Sequence, residues 1–327
     1  MRREIGVLCS GERVDLFLVK IFQKDFFLSF LSRSQISRLI KKGRVEINSK
    51  VCRKSGEIVN RGDEVLIDIS GELRESVAAW DCPLDIVYED KWILVLNKPA
   101  GVVMHPGAGN YDKTILNALF SYLKPEDSEG FFKMRGGIVH RLDKGTSGLV
   151  VIAKDLRTHA HLSEQFKKKV VEKRYLAVVY NKAPGCGLLS RGAVSGKISA
   201  PLGRLVYDPK KIGVLKKGGK EAVTFWKVKE IFKWAAILEC KIITGRTHQI
   251  RVHLAHSGNP VLGDPVYGVS TTASLPPYLK EGIKKLSRPA LHAFKLEFTH
   301  PVSNKQVKFE IELPSDITQF IQLLRKN

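Results

Sequence analysis

Hydrophobic positions follow first a helical and then an alternating pattern within the first seventy residues. In "SRSQISRLIKKGRVEINSKV", Ser34 is a candidate N-cap for a helix that Gly43 ends. The apolar positions on one face of this helix are Ile36, Leu39 and Ile40. Apolar residues then alternate with polar ones, as in strands with one buried face, at Val45, Ile47, Val65, Ile67 and Ile69. The pattern predicts a short helix followed by a small sheet.

The segment "SGELRESVAAWDCP" shows no sustained periodicity and ends at Pro83. We therefore predict a linker over residues 76–82, between a module of residues 1–75 and a second domain of residues 83–327. In that domain, "LDIVYEDKWILVLNKPAG" predicts two strands around a Glu-Asp turn. Asp155 is a candidate N-cap for a following helix.

Near the C-terminal end, two alternating segments flank the dipeptide Ser303-Asn304 and predict a hairpin. Their apolar residues are Phe294, Leu296, Phe298, Val307, Phe309 and Ile311. Ser315 is a candidate cap for a last helix, whose inward-facing residues are Ile317, Phe320, Ile321 and Leu324. Helices and mainly hairpin-connected strands together predict an α+β fold.

The charge of the chain points to its partner. Lys and Arg number 54 against 33 Asp and Glu, which gives a formal net charge of +21. Such a charge favours nucleic acid. An anionic membrane surface would also attract it, but no apolar run approaches the roughly 18 residues of a spanning helix, and "MRREIGVLCS" lacks the apolar stretch of a secretory signal. We therefore expect a cytoplasmic protein without a membrane partner.

Basic residues are concentrated between positions 33 and 54, where eight of them accompany one acid, Glu46. They are Arg33, Arg38, Lys41, Lys42, Arg44, Lys50, Arg53 and Lys54. A solvated helix face is the alternative interpretation. However, the basic helix, "GRVEINSK" and the closing "GDEVLI" together resemble the S4 RNA-binding module over residues 13–69. The resemblance implies that Arg33, Arg38, Lys41, Lys42 and Arg44 bind RNA.

Three stretches of the second domain carry candidate chemistry. "GGIVHRLDKGTSGLVVIAK" places Asp143 two residues after Arg141 on a glycine-flanked turn, although a surface ion pair would look the same. "VVEKRYLAVVY" places Tyr175 at the start of an apolar strand, where a core tyrosine is the alternative. "ITGRTHQIRVHLAHSGNPVLGDPVYG" contains Arg246 and Arg251.

Histidines and cysteines raise the question of a metal. His248, His253 and His256 lie within eleven residues of Arg246, but no cysteine or acid beside them completes a ligand set. The five cysteines lie at least thirty residues apart and form no C-x-x-C pair. We therefore predict no metal site, and we expect reduced, structural thiols.

Taken together, the three stretches resemble the RluA-type pseudouridine synthases. The resemblance implies that Asp143 is the catalytic aspartate, that Tyr175 is the active-site tyrosine, and that Arg141 fills the gap left by a flipped-out uridine. It places the arginine that pairs with the aspartate in "GRTHQIRVH". Arg251 is the preferred candidate, and Arg246 is the alternative with a predicted role in RNA binding.

The resemblance spans residues 82–327 and implies a small S4-type module followed by a catalytic domain built on a mixed, mainly antiparallel sheet flanked by helices. It is nearest to the RluD-like branch, whose members carry an N-terminal S4 module and modify large-subunit ribosomal RNA. The expected partner is therefore 23S-type ribosomal RNA or its precursor, bound by a monomer. Lys216 and Lys217 of "YDPKKIGVLKKGGK" are expected to contact RNA on a loop.

The implied reaction converts uridine into its C-glycoside isomer, which requires neither a redox change nor an added group. No cofactor is therefore expected. The carboxylate can act as a nucleophile at C1′ or C6, or as the base that removes a ribose proton, and the sequence leaves both routes open. An S4-containing methyltransferase and a ribosomal RNA-binding protein without catalysis are the alternatives. The target uridine is likewise open.

Overall fold

The computed structural model describes residues 2–8, 10–24, 33–68, 78–107, 109–123, 136–181, 187–208, 211–269 and 275–327. The chain forms two units, of which the first contains Met1–Ala79 and Leu123–Gly136 and the second contains Trp80–Tyr122 and Gly137–Asn327. In the parts of the chain described, no helix combines the length and apolar character needed to cross a membrane. The predicted linker lies partly outside these residues, and its described part, 78–82, has no regular element.

The N-terminal unit combines two helices with short antiparallel strands. In chain order these are β1 (Arg2–Gly6), β2 (Glu12–Arg13), α1 (Val14–Lys24), α2 (Arg33–Lys41), β3 (Val45–Ile47), β4 (Lys50–Cys52), β5 (Ile58–Val59) and β6 (Glu64–Asp68). The sheet order is β1-β6-β3-β4, and β2 pairs with β5. The helix and sheet predicted from the sequence are confirmed, whereas β1 and α1 were not predicted.

The apolar positions predicted for this unit form its core. Ile36 and Ile40 of α2 and Val65 of β6 are fully buried, and the predicted Ile69 lies outside the described residues. The prediction of Ser34 as N-cap is wrong, because Arg33 before it is already helical. Gly43 ends the segment as predicted, and its positive φ of 70° is one that residues with a β-carbon rarely adopt.

The second unit is built on one large sheet. Its strands are β7 (Ile86–Glu89), β8 (Ile93–Lys98), β9 (Ser147–Ala153), β10 (Glu172–Tyr180), β11 (Ser195–Ser199), β12 (Leu202–Arg204), β13 (Ile212–Val214), β14 (Val223–Ile231), β15 (Ala235–Ile242), β16 (Leu291–Thr299) and β17 (Gln306–Glu310). Its helices are α3 (Ile115–Leu123), α4 (Leu156–Lys167), α5 (Gln249–His256), α6 (Pro277–Leu286) and α7 (Ser315–Arg325), with a short 3-10 helix at Gly187–Gly192.

In the described part of the chain, the sheet runs β11-β14-β15-β10-β16-β9-β8-β7, and β17 also pairs with β16. The β9·β16 pair is parallel, whereas the neighbouring pairs are antiparallel. The fold class predicted from the sequence, a mixed and mainly antiparallel sheet with helices, is therefore confirmed. β12 and β13 form a separate hairpin.

The local predictions for this unit are mostly confirmed. Asp155 caps α4 by accepting a hydrogen bond from the Thr158 amide at 3.0 Å, and the two predicted hairpins form. The prediction of Ser315 as a cap is wrong by one residue, because Pro314 occupies the cap position and the amide of Ile317 bonds to the side chain of Asp316.

Candidate active site

The turn that carries Asp143 is closed by a hydrogen bond of its own and is bound to the segment around Gly101. The Asp143 carbonyl accepts the Thr146 amide at 3.1 Å, and the Lys144 carbonyl accepts the Gly101 amide at 2.7 Å. Immediately after the turn, β9 pairs with β16, and Gly148 has a φ of 120°. A β-carbon there would overlap the backbone of Ala293, so only glycine allows the two strands to approach this closely.

A buried guanidinium links Asp143 to a second carboxylate. Arg251, the third residue of α5, donates to both oxygens of Asp264 at 2.6 and 2.7 Å, and its Nη1 donates to Asp143 Oδ2 at 3.2 Å. Burial acts against ionisation of Asp264, but the bonds from Arg251 hold the pKa of this carboxyl below its usual value. The Arg251 side chain is 6% exposed. Because its planar guanidinium is buried and bound by both Asp264 oxygens, its orientation is fixed.

The structure separates the two candidate arginines of "GRTHQIRVH". Arg251 contacts Asp143, whereas Arg246 is exposed and donates from Nε to the carbonyl of Glu221 at 3.0 Å. Arg246 lies in the turn before α5. It remains a predicted RNA contact.

Tyr175 lies on β10 at a point where the pairing with β16 shifts register. Its side chain is buried, and burial together with the negative charge of Asp143 raises the pKa of the phenol above its usual value. The Tyr175 phenol is therefore neutral near physiological pH, close enough to Asp143 to feel its charge.

The residues around Asp143 differ in exposure. Arg141 is exposed, which its predicted role of filling the gap left by a flipped-out uridine requires. Leu142 is buried. His140 accepts the Val151 amide at 2.9 Å and stacks on Phe166, and burial, aided by Lys173, lowers its pKa to about 3. His140 is therefore a neutral packing residue.

Sequence reasoning did not predict that four further residues lie in the surroundings of Asp143, namely Lys98, His248, Asp264 and Tyr267. Lys98 ends β8, is fully buried, and donates to the carbonyls of Pro99 and Val102 at 2.7 and 2.8 Å. Burial lowers its pKa to about 7, against the attraction of Asp143. Its sequence signal is a lysine at the end of an apolar strand in "NKPAG". For Asp264 and Tyr267 the signal was "GDPVYG", next to the arginine-rich stretch.

The three clustered histidines have separate environments. His253 is buried between Thr224 Oγ1 and the Ala200 carbonyl, His256 is exposed, and His248 faces Asp143. Among the residues that the structure describes, no three histidine, cysteine or acidic side chains group as metal ligands. The described cysteines Cys52, Cys82 and Cys240 are free.

The predicted RNA-binding residues of the N-terminal unit lie on the surface. Arg38, Lys41 and Lys42 are exposed. Arg33 pairs with Asp15 at 2.9 Å, and Arg44 pairs with Asp68 at 2.9 Å. The cationic face predicted from the sequence is therefore solvent-accessible, and two of its arginines are also bound by carboxylates.

Lys216 and Lys217 are exposed directly after β13. The prediction that this whole segment is a loop is wrong, because Ile212–Val214 pairs with Leu202–Arg204. Ile212 and Val214 pack, with Tyr267, against Val252 of α5. This apolar anchoring outweighs the turn-forming composition of the segment.

Comparisons with known proteins identify the family of the chain. A family model described as RNA pseudouridylate synthase matches residues 92–256, and an S4 domain model matches residues 27–65. Ribosomal large subunit pseudouridine synthase D of Neisseria meningitidis serogroup B is 40% identical over 97% of this chain and 79% of its own length. The protein of the same name from Pseudomonas aeruginosa is 38% identical over 99% of this chain and 95% of its own.

A solved structure supports the same assignment. Human RNA pseudouridylate synthase domain containing 1 is 25% identical, with a TM-score of 0.54, and the match covers 75% of this chain and 96% of that protein. The chain belongs to the RNA pseudouridylate synthase family and carries an S4 domain. The family predicted from the three stretches is confirmed, and the matches give the methyltransferase alternative no support.

Proposed function

We propose that this chain converts uridine to pseudouridine in large-subunit ribosomal RNA, with Asp143 as the reacting carboxylate. The arrangement of the Asp143 oxygens carries the proposal. Oδ2 is bound by Arg251 at 3.2 Å, while Oδ1 forms no hydrogen bond within the described part of the chain. One oxygen is thus fixed, and the other is available to a substrate.

The reaction breaks the N1–C1′ bond, turns the base, and joins C5 to C1′. The C5 proton leaves, and N1 gains a proton, so the product is an isomer of the substrate. An anionic carboxylate is needed whether it attacks carbon or removes a ribose proton. In either route Arg251 holds Oδ2 of this carboxylate through its hydrogen bond. In this proposal Tyr175, which is neutral and buried, contacts the base and assists proton loss at C5.

Access to the site requires a uridine that has left its helix or loop. In this proposal the exposed Arg141 fills the vacated position. The predicted RNA-binding residues of both units contact phosphates in this proposal, and they are Arg33, Arg38, Lys41, Lys42, Arg44, Arg246, Lys216 and Lys217. The choice of large-subunit RNA follows from the names of the bacterial relatives, and such a substrate places the reaction in the cytoplasm.

Tritium release tests the proposal. Large- and small-subunit ribosomal RNA transcripts labelled at uridine C5 are incubated with the wild type, Asp143→Asn and Asp81→Asn, an exposed control with the same charge change. We expect release from the large-subunit RNA with the wild type and Asp81→Asn, and none with Asp143→Asn, at unchanged RNA affinity. Release by Asp143→Asn within tenfold of the wild type, about 1.4 kcal/mol of barrier, would contradict the assignment.

A further inference from the structure

His248 occupies an unusual position at the start of α5. It is the N-cap residue, yet its side chain makes no capping hydrogen bond, and its backbone is left-handed, with φ 57° and ψ 18°. N-caps are usually serine, threonine, aspartate or asparagine, whose side chains accept a helix amide. A residue with a β-carbon is strained in this conformation. The side chain is therefore directed elsewhere, at a cost to the helix terminus.

The imidazole of His248 lies between a tyrosine and the reacting carboxylate. Nδ1 is 2.8 Å from the Tyr267 hydroxyl, and Nε2 is 4.0 Å from Asp143 Oδ2. The Tyr267 ring also packs edge-on against the imidazole and lies 5.1 Å from the Arg251 guanidinium. Tyr267 thus contacts both groups that face Asp143.

The hydrogen bonds of Tyr267 determine which nitrogen of His248 carries the proton. Burial lowers the pKa of His248, although Asp143 opposes the shift, so the ring is neutral and has one N–H. The Tyr267 oxygen accepts the Ile212 amide at 3.0 Å, and its own proton is available for Nδ1. Nε2 then carries the proton and presents it to Asp143. The other tautomer would direct a lone pair at a carboxylate.

We propose that His248 is a positioning residue for the Asp143 carboxylate and that Tyr267 fixes its tautomer. The inference rests on the proposed catalytic role of Asp143. Arg251 and His248 both approach Oδ2, which leaves Oδ1 directed at the substrate. The 4.0 Å separation exceeds a hydrogen bond, but bonds of this kind often tighten only when the substrate is in place.

The same contacts connect the carboxylate to the β12–β13 hairpin. Ile212, whose amide bonds to Tyr267, is the first residue of β13, and the exposed Lys216 and Lys217 follow this strand. The position of this strand therefore bears on the Tyr267 hydroxyl and, through it, on the imidazole of His248.

Single-turnover tritium release at saturating RNA, with the dissociation constant measured separately, tests the proposal. We expect His248→Ala to react at least about tenfold more slowly than the wild type with its RNA affinity within about twofold, a tenfold loss being about 1.4 kcal/mol. His248→Gln, whose amide can donate from near the Nε2 position, should recover most of the rate. Tyr267→Phe keeps the ring contacts and should be slowed like His248→Ala.

Tyr122→Phe is the matched control, because it also removes a hydroxyl that makes a hydrogen bond. The Tyr122 hydroxyl donates to Glu89 of β7 at 2.6 Å, and the variant should react like the wild type. A wild-type rate for His248→Ala or Tyr267→Phe overturns the proposal, as does a His248→Gln protein that is folded and as slow as His248→Ala. Asp143→Asn is measured alongside. Turnover by that variant would defeat the proposed function, whereas an inactive Asp143→Asn with a fast His248→Ala defeats only this inference.

Discussion

The described arginine–aspartate pairs of the two units differ in how deeply the arginine is buried. Arg33 and Arg44 of the N-terminal unit pair with aspartates at 2.9 Å while their side chains stay 54% and 48% exposed. Arg251 and Arg288 of the second unit also pair with aspartates, at 2.6 Å, but are only 6% and 9% exposed. Exposed guanidiniums contribute a field that salt screens. Buried guanidiniums hold their carboxylates in one geometry, and removal of Arg251 would leave the buried carboxylate of Asp264 without its cation.

Replacement of Arg251 should produce the largest effect. Arg251→Met leaves the Asp264 carboxylate buried without its cation, so we expect a loss of about 3–5 kcal/mol in the free energy of unfolding and no turnover. Arg251→Lys keeps the charge but loses the planar guanidinium, so its free energy of unfolding and its turnover should lie between those of the wild type and Arg251→Met. Urea denaturation and single-turnover tritium release measure the two quantities. Equal activity of the lysine variant and the wild type would show that charge alone suffices.

Lys98 should make the stability of the second unit depend on pH. Its pKa falls from 10.5 to about 7 on folding, so between these values the unfolded chain binds a proton that the folded chain does not. The free energy of unfolding of the wild type, relative to Lys98→Met, should therefore rise from pH 7 to 9.5 and level off below pH 7. Parallel pH profiles for the two proteins would mean that Lys98 stays charged.

The exposed basic residues should influence affinity and salt dependence only. Arg38→Gln, Lys41→Gln and Lys42→Gln together should weaken RNA binding and reduce the slope of log affinity against log salt by about one unit for each phosphate that is no longer neutralised. Turnover at saturating RNA should be unchanged. The matched control replaces the exposed Lys280, Lys284 and Lys285 of α6 with glutamine. An equal loss of affinity in that control would mean that net charge, and not the position of the three basic residues, determines RNA affinity.

The surface pair Arg44–Asp68 should have the smallest effect. Because Arg44 is about half exposed, Asp68→Asn should lower the free energy of unfolding by less than about 1 kcal/mol. Urea denaturation at low and high salt provides the measurement. A loss comparable to that of Arg251→Met would remove the distinction between the two kinds of arginine.

The sequence predicted the parts of the site that lie within one short stretch. Asp143 and Arg141 share a turn, and Tyr175 lies in an apolar strand, so local pattern and family resemblance were enough to propose them. The choice between Arg246 and Arg251 could not be made from spacing, because it depends on where α5 begins. That start is set by His248, whose left-handed backbone no propensity rule anticipates.

Long-range contacts explain what was missed. Lys98 reaches the site because β8 lies beside β9, and Tyr267 does so because it packs with the β12–β13 hairpin. Such contacts join residues that are far apart in the sequence, so the local periodicity of hydrophobic positions does not predict them. The predicted caps failed because each helix begins earlier than expected: α2 already includes Arg33 before Ser34, and Pro314 holds the cap position before Ser315.

The parallel pairing beside Asp143 has a consequence for the order in which the protein matures during its synthesis. Ser147 bonds to His292, which the ribosome adds 145 residues later. The strands of the N-terminal unit pair entirely among residues 2–68, so these sheets can form while most of the chain is still unmade. In a nascent chain the basic surface around α2 can therefore take shape well before the strand that supports the Asp143 turn has been synthesised.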